Sequence, residues 1–159
     1  MIELLVRRLA KQRAQAVEAL RAIPEESLTL QPANMVNHAA WTLAHLHTSD
    51  VLVRATFTGS PVDKKLVENF ANGSKPAPNL DAFRELFSSK DGLIEKMTAS
   101  HAAAMDAVGA LSDADLDREN PNEKSRGYFP TIGDLLTYLI WHEGYHFGQL
   151  SHWRKAAGV

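Results

Sequence analysis

Apolar residues recur at helical spacing along the first 23 positions. Ile2, Leu5, Leu9, Ala16, Leu20 and Ile23 fall on one stripe with a period close to 3.6. The pattern predicts a helix from Ile2 to about Ile23, closed by Pro24 and the polar run Glu25-Glu26-Ser27. A second helix is predicted behind Pro32-Ala33-Asn34, with Asn34 as its N-cap, running to about Phe57 and stopping at Gly59-Ser60-Pro61. A third stripe (Phe83, Phe87, Ile94, Met97, His101, Met105, Val108) predicts one long helix from Asn79-Leu80 to about Leu111. The fourth helix starts at Thr131-Ile132-Gly133-Asp134, a capping-box spelling. It ends at Gly158, the residue type expected just past a helix.

The links between helices two and three and between three and four are each about 20 residues, long enough to run the length of a bundle, so consecutive helices need not be antiparallel. The first link has the pattern of a short helix at Asp63–Ala71, and the second a Ser112-x-x-Asp115 turn. There is no strand pattern, internal repeat or low-complexity tract. Four amphipathic helices without strands most simply make an all-α four-helix bundle. At 159 residues the chain suits one domain, residues 1–159, with a real core.

Composition narrows the function. A net charge of −2 gives no electrostatic footprint for nucleic acid or an anionic membrane. No apolar run approaches the ~18 residues of a membrane span. The amphipathic start, Met1 to Arg8, has no signal-peptide architecture, so a cytoplasmic location is expected. With no cysteine, there is no disulfide and no thiolate ligand or nucleophile. A metal would have to use histidine and carboxylate, and thiol chemistry would need a thiol brought by a cosubstrate.

The richest chemistry is His142-Glu143-Gly144-Tyr145-His146, spelled H-E-x-x-H, in the middle of the last helix. Histidines four apart share a helix face, with Cβ atoms roughly 5–6 Å apart. This face continues through Leu135, Tyr138, Leu139 and Gln149, the side expected to be buried. Two imidazoles in a core are hard to satisfy without a metal or several hydrogen bonds. In a zinc peptidase the third ligand comes from a separate downstream element. Only 13 residues follow His146, nearly all in the same helix, and no strand is predicted, so that reading fits poorly.

A third ligand is needed, and the second helix offers three histidines. His38, Trp41 and His45 share one face, while His47 points about 160° from His45 at ~3.6 residues per turn. His45 and His47 therefore cannot both be core ligands, and the pattern of Val36, Leu43 and Leu52 does not decide between them. His101, on the third apolar stripe, reads as a core histidine bonded to a neighbouring carbonyl or hydroxyl, with a fourth-ligand role as the alternative. His152 lies off the face of the His142/His146 pair and reads as surface or dimer contact.

Phe129-Pro130-Thr131-Ile132-Gly133-Asp134-Leu135-Leu136, leading into Trp141 to Lys155 with the histidine pair, resembles the final helix of the DinB-like superfamily of metalloenzymes. Trp41-Thr42-Leu43-Ala44-His45-Leu46 followed by Asp50 resembles that family's second-helix motif, and Phe70-Ala71-Asn72-Gly73-Ser74 with its long linker also fits. The resemblance spans essentially the whole chain. It implies an up-down-down-up four-helix bundle and a divalent metal, most often zinc or nickel, on three histidines. By position these are His45, His142 and His146. His38 and His47 are not part of the family pattern.

The resemblance further implies a thiol-dependent S-transferase acting on small electrophiles through a metal-bound thiolate. Characterised relatives use bacillithiol, mycothiol or similar low-molecular-weight thiols, and homodimers are common among them; His152 and Trp153 are the exposed-face candidates for such a contact. Glu143 is the candidate catalytic base, for metal-bound water or for the cosubstrate proton. Gln149 is placed to hydrogen-bond near the site, Tyr138 to line a pocket, and Trp41 to pack beside His45. The alternatives are a metal-dependent hydrolase with Glu143 as base, and a non-catalytic metal-binding stress-response module.

Overall fold

The computed structural model describes residues 1–32, 35–71, 73–74 and 80–159. Among the described residues the chain forms six α-helices and no strand: α1 (Ile2–Arg21), α2 (Ala39–Thr58), α3 (Lys64–Phe70), α4 (Leu80–Phe87), α5 (Lys90–Gly109) and α6 (Ile132–Ala157). A single antiparallel bridge, Glu119 with Thr131, ties the last linker to the start of α6. No helix among the described residues is long and apolar enough to cross a membrane.

The helix ends follow local chemistry. In α6, Thr131 Oγ1 accepts from the Asp134 N–H at 3.1 Å and Asp134 Oδ2 accepts from the Thr131 N–H at 3.0 Å, the reciprocal box expected from sequence. Gly158 closes α6 with φ +73°. The start of α2 differs from expectation. The helix begins at Ala39, and its cap is His38, whose Nδ1 accepts from the Trp41 N–H at 3.1 Å. Asn34, the expected cap, lies outside the described residues, as do Asn72 and Asn79.

The expected continuous third helix is two helices. Ser88 turns the chain at φ +60°, and Ser89 Oγ restarts it by accepting from the Gly92 N–H at 3.0 Å. A Cβ on Gly92 would sit 2.2 Å from the Phe87 carbonyl oxygen. The turn as it stands leaves no room for a side chain at position 92. Gly92→Ala should lower stability by about 1–3 kcal/mol in urea unfolding. An unchanged midpoint would mean that the Phe87 carbonyl can move aside.

α2 packs along α5 and against α3 and α6, while α1 packs on α5 and α6. The core has two apolar clusters. One gathers Leu20, Leu43, Leu46, Phe87, Leu93, Met97, Leu150 and Trp153, among others. The other gathers Leu5, Leu9, Val53, Met105, Val108, Leu136 and Leu139. Every residue of the first predicted stripe is buried, including Ile23 just past the end of α1. Trp153, expected on an exposed face, is 1% exposed and donates its indole N–H to the Leu30 carbonyl at 2.8 Å. Of the two features offered for a dimer contact, only His152 is exposed.

Between the two clusters each long helix contributes buried polar residues: Arg13 from α1, His45, His47 and Asp50 from α2, His101 from α5, and His142, Glu143 and His146 from α6. The core is thus crossed at its waist by a polar belt. Buried charge of this kind persists only where it is paired.

Candidate metal centre

α2 is buried at every position from Ala39 to Thr48, because other helices cover it on several sides. This explains why the helical wheel could not choose between His45 and His47. Both are buried, on opposite sides of the helix, and their partners separate them. His47 Nδ1 meets Ser100 Oγ on α5 at 2.9 Å, and its ring stands edge-on to Phe87. His45 turns toward α6.

There the three imidazoles converge. His45 Nε2 lies 3.0 Å from His142 Nε2, which lies 3.1 Å from His146 Nε2. One ligand atom from each ring falls within 4.8 Å of the others. Two of the rings are oriented from behind. His45 Nδ1–H donates to the Phe70 carbonyl at 2.5 Å, and His146 Nδ1–H donates to Gln149 Oε1 at 2.8 Å. A proton held on Nδ1 leaves Nε2 with a bare lone pair, the arrangement in which histidine binds metal. Trp41 stacks on His45 with centroids 4.9 Å apart and planes within 6°, fixing its plane as expected.

Electrostatics agree. Burial, followed by the neighbouring His146 and His45, pushes the His142 pKa down to about 3. Burial and His45 push His146 down to about 4, and burial also lowers His45. All three rings are neutral at pH 7, so none needs to shed a proton to coordinate. The donor set of three neutral nitrogens, with two Nδ1 anchors behind, fits a divalent metal ion.

A cavity of 540 Å³ opens beside this group, lined by His45 and His142, by Thr48, Ser49 and Leu52 of α2, and by Leu135, Tyr138 and Leu139 of α6. The 122–129 linker closes its far side with Asn122, Lys124, Ser125, Tyr128 and Phe129. The walls are largely apolar, and among the described residues Lys124 is the one charged lining residue. Tyr138 lines the cavity as expected, with its ring 5.3 Å from that of His142 and 4.5 Å from that of Phe129.

The remaining predicted residues fall elsewhere. His38 caps α2. His101 is a buried histidine with a partner, as read, but that partner is a carboxylate: its Nδ1 lies 3.1 Å from Asp50 Oδ1. Glu143 is buried beside His142 in sequence, and the structure pairs it with the guanidinium of Arg13. Arg13 also pairs with Asp50. Asp50, His101 and Glu143 form a second group whose ligand atoms lie within 4.8 Å of one another. Sequence reasoning missed Arg13, although a signal was present. It falls between Leu9 and Ala16 on the first apolar stripe, where a charge is out of place unless paired.

Fold and site together define a class: an all-helical domain with a buried three-histidine group able to hold a metal ion. The DinB superfamily profile matches residues 8–150, and the chain belongs to that superfamily. No curated protein and no solved structure matches the chain.

Proposed function

We propose that this protein is a metal-dependent S-transferase that joins a low-molecular-weight thiol to a small electrophile. The observation that carries the metal part is the convergence of His45, His142 and His146, whose three Nε2 atoms face one another while two Nδ1 atoms are held from behind. These residues would hold a divalent ion, zinc or nickel. When bound, the ion supplies Lewis acidity that lowers the pKa of a thiol at its open position.

The chain's own groups supply the rest. Leu52, Leu135, Tyr138 and Leu139 give the electrophile an apolar wall and limit water beside the imidazoles. The sulfur–carbon bond forms as the bond to the leaving group breaks, and the thiol proton passes to solvent. The absence of cysteine leaves no protein thiol to compete for the ion. Glu143 acts here as an anchor of α6 through Arg13. The hydrolase reading, which needs Glu143 free as base, draws less support from that pairing.

The fold reading extends in the same way. Along α1 and α6 the chain passes from the Leu5/Leu136 cluster to the Leu20/Trp153 cluster, and along α2 and α5 it passes in the opposite sense. This supports an up-down-down-up four-helix bundle, with α4 and α5 together in the place of the third helix.

The test is turnover of 1-chloro-2,4-dinitrobenzene by zinc- or nickel-loaded protein with a panel of small thiols. Thioether formation that requires both metal and thiol is expected, and a chelator should abolish it. Metal-dependent ester hydrolysis without thiol, in place of thioether formation, would select the hydrolase instead.

A further inference from the structure

The waist of the core holds a second buried polar group that the proposed reaction does not use. Arg13, Asp50, His101 and Glu143 are 3–6% exposed and come from four different helices. Arg13 sends one terminal nitrogen to Asp50 on α2 and the other to Glu143 on α6. His101 on α5 supports the far side of Asp50, Oδ1 to Nδ1 at 3.1 Å. Burial works against each charge. Even so, Arg13 and His101 outweigh it and hold the Asp50 carboxyl below its usual range, and the two carboxylates likewise keep the guanidinium charged.

The placement matters because α2 and α6 are the helices that carry the three imidazoles. Asp50 lies five positions past His45, and Glu143 lies between His142 and His146. One planar guanidinium therefore bridges the two helices that bring His45 to the pair, gripping α6 one position past His142 and α2 about one turn past His45. We infer that Arg13 is the positioning residue of the metal centre, its two-pronged pairing with Asp50 and Glu143 setting the approach of α2 to α6. The inference rests on the metal-centre reading above. It also separates the two candidate groups found among the described residues: Arg13 is itself the cation of the Asp50/His101/Glu143 group, which leaves the three-histidine group for a metal.

The geometry selects the variant. Lysine keeps the charge but has one ammonium in place of a rigid fork, and cannot hold two carboxylates on two helices in the same way. Co(II) affinity and absorption spectrum would be measured on the full chain for wild type, Arg13→Lys and Glu143→Gln, beside the stability of each metal-free form. Leu136→Ala, in the apolar cluster away from the belt, serves as a stability-matched control. The expected result is one ion per wild-type chain, a loss of affinity of ~10–100-fold in Arg13→Lys with an altered Co(II) spectrum, and wild-type affinity in Leu136→Ala. Glu143→Gln should shift in the same direction, and it decides by the same comparison if Arg13→Lys does not fold.

Wild-type affinity in a folded Arg13→Lys would overturn the inference, as would a loss that Leu136→Ala reproduces. Two ions per wild-type chain, one of them lost in His101→Ala, would overturn it too and make the second group a metal site. No metal in wild type would remove the metal-centre reading and this inference together. A metal-loaded wild type with an unaffected Arg13→Lys removes this inference alone.

Discussion

Replacing His146 with alanine is expected to leave a folded, helical protein that no longer holds a divalent ion, whereas His47→Ala keeps it. Both histidines are buried to the same extent, 6% exposed, so burial does not separate them. Their partners do. His146 Nε2 points at His142 Nε2, with its Nδ1 anchored on Gln149, while His47 is engaged by Ser100 on the opposite side of α2. Removing one of three nitrogen donors should weaken binding by more than the ~10–100-fold that loss of a partner behind a ligand costs. The readouts are metal per chain by elemental analysis and the rise in melting temperature on adding zinc. An ion at 100 times its dissociation constant stabilises the folded state by about 2.7 kcal/mol. Wild type and His47→Ala should show that rise, and His146→Ala and His45→Ala should not. Stoichiometric metal retained by folded His146→Ala would end the assignment.

How much of this site could be read from the chain depends on the helix in question. On α6 the spelling pointed to the pair, because His142 and His146 lie on one face that continues through Leu135, Tyr138, Leu139 and Gln149, and caps at Thr131 and Gly158 fix the helix ends. On α2 the apolar pattern gave no answer, since ten consecutive buried positions erase the amphipathic signal on which a helical wheel relies. Only resemblance singled out His45 from His47, and the geometry now groups His45 with the α6 pair. The break at Ser88 was invisible because the apolar stripe of α5 stays in phase closely enough with Phe83 and Phe87 to read as one helix. The break is made by left-handed Ser88 and the Ser89 cap and is permitted by the fit of Gly92 against a backbone carbonyl, none of which periodicity records. The Arg13 cluster was missed for another reason. His101 and Glu143 were read singly and the charge of Arg13 on the first apolar stripe was overlooked, while the pairing that joins them exists only once four helices are packed.

Arg13→Met should be the most destabilising single change in the belt, and its penalty should shrink on acidification. Removing one partner of a buried ion pair costs about 3–5 kcal/mol, because the remaining charge stays in the core without compensation. Here two carboxylates lose the guanidinium that bridges them. The pH dependence follows from Asp50. In wild type its folded pKa is lowered, because Arg13 and then His101 outweigh burial. The stability it contributes is therefore present above its unfolded pKa, near 4, and is lost as pH falls through the lower folded value. Without Arg13 the larger opponent of burial is gone, and the folded pKa of Asp50 should rise above the unfolded one. The folded variant then takes up a proton more readily than the unfolded chain, which offsets part of its penalty at low pH. Urea unfolding of the metal-free proteins between about pH 7 and pH 3 should show the gap to Arg13→Met narrowing, with the loss from Asp50 in wild type setting in only as pH falls to about 4 and below. Adding Asp50→Asn to Arg13→Met should cost less than the two single changes summed, since the charge left stranded by the first is removed by the second. A gap constant across that range, with additive effects, would mean that Arg13 acts through packing of its stem and not through its charge.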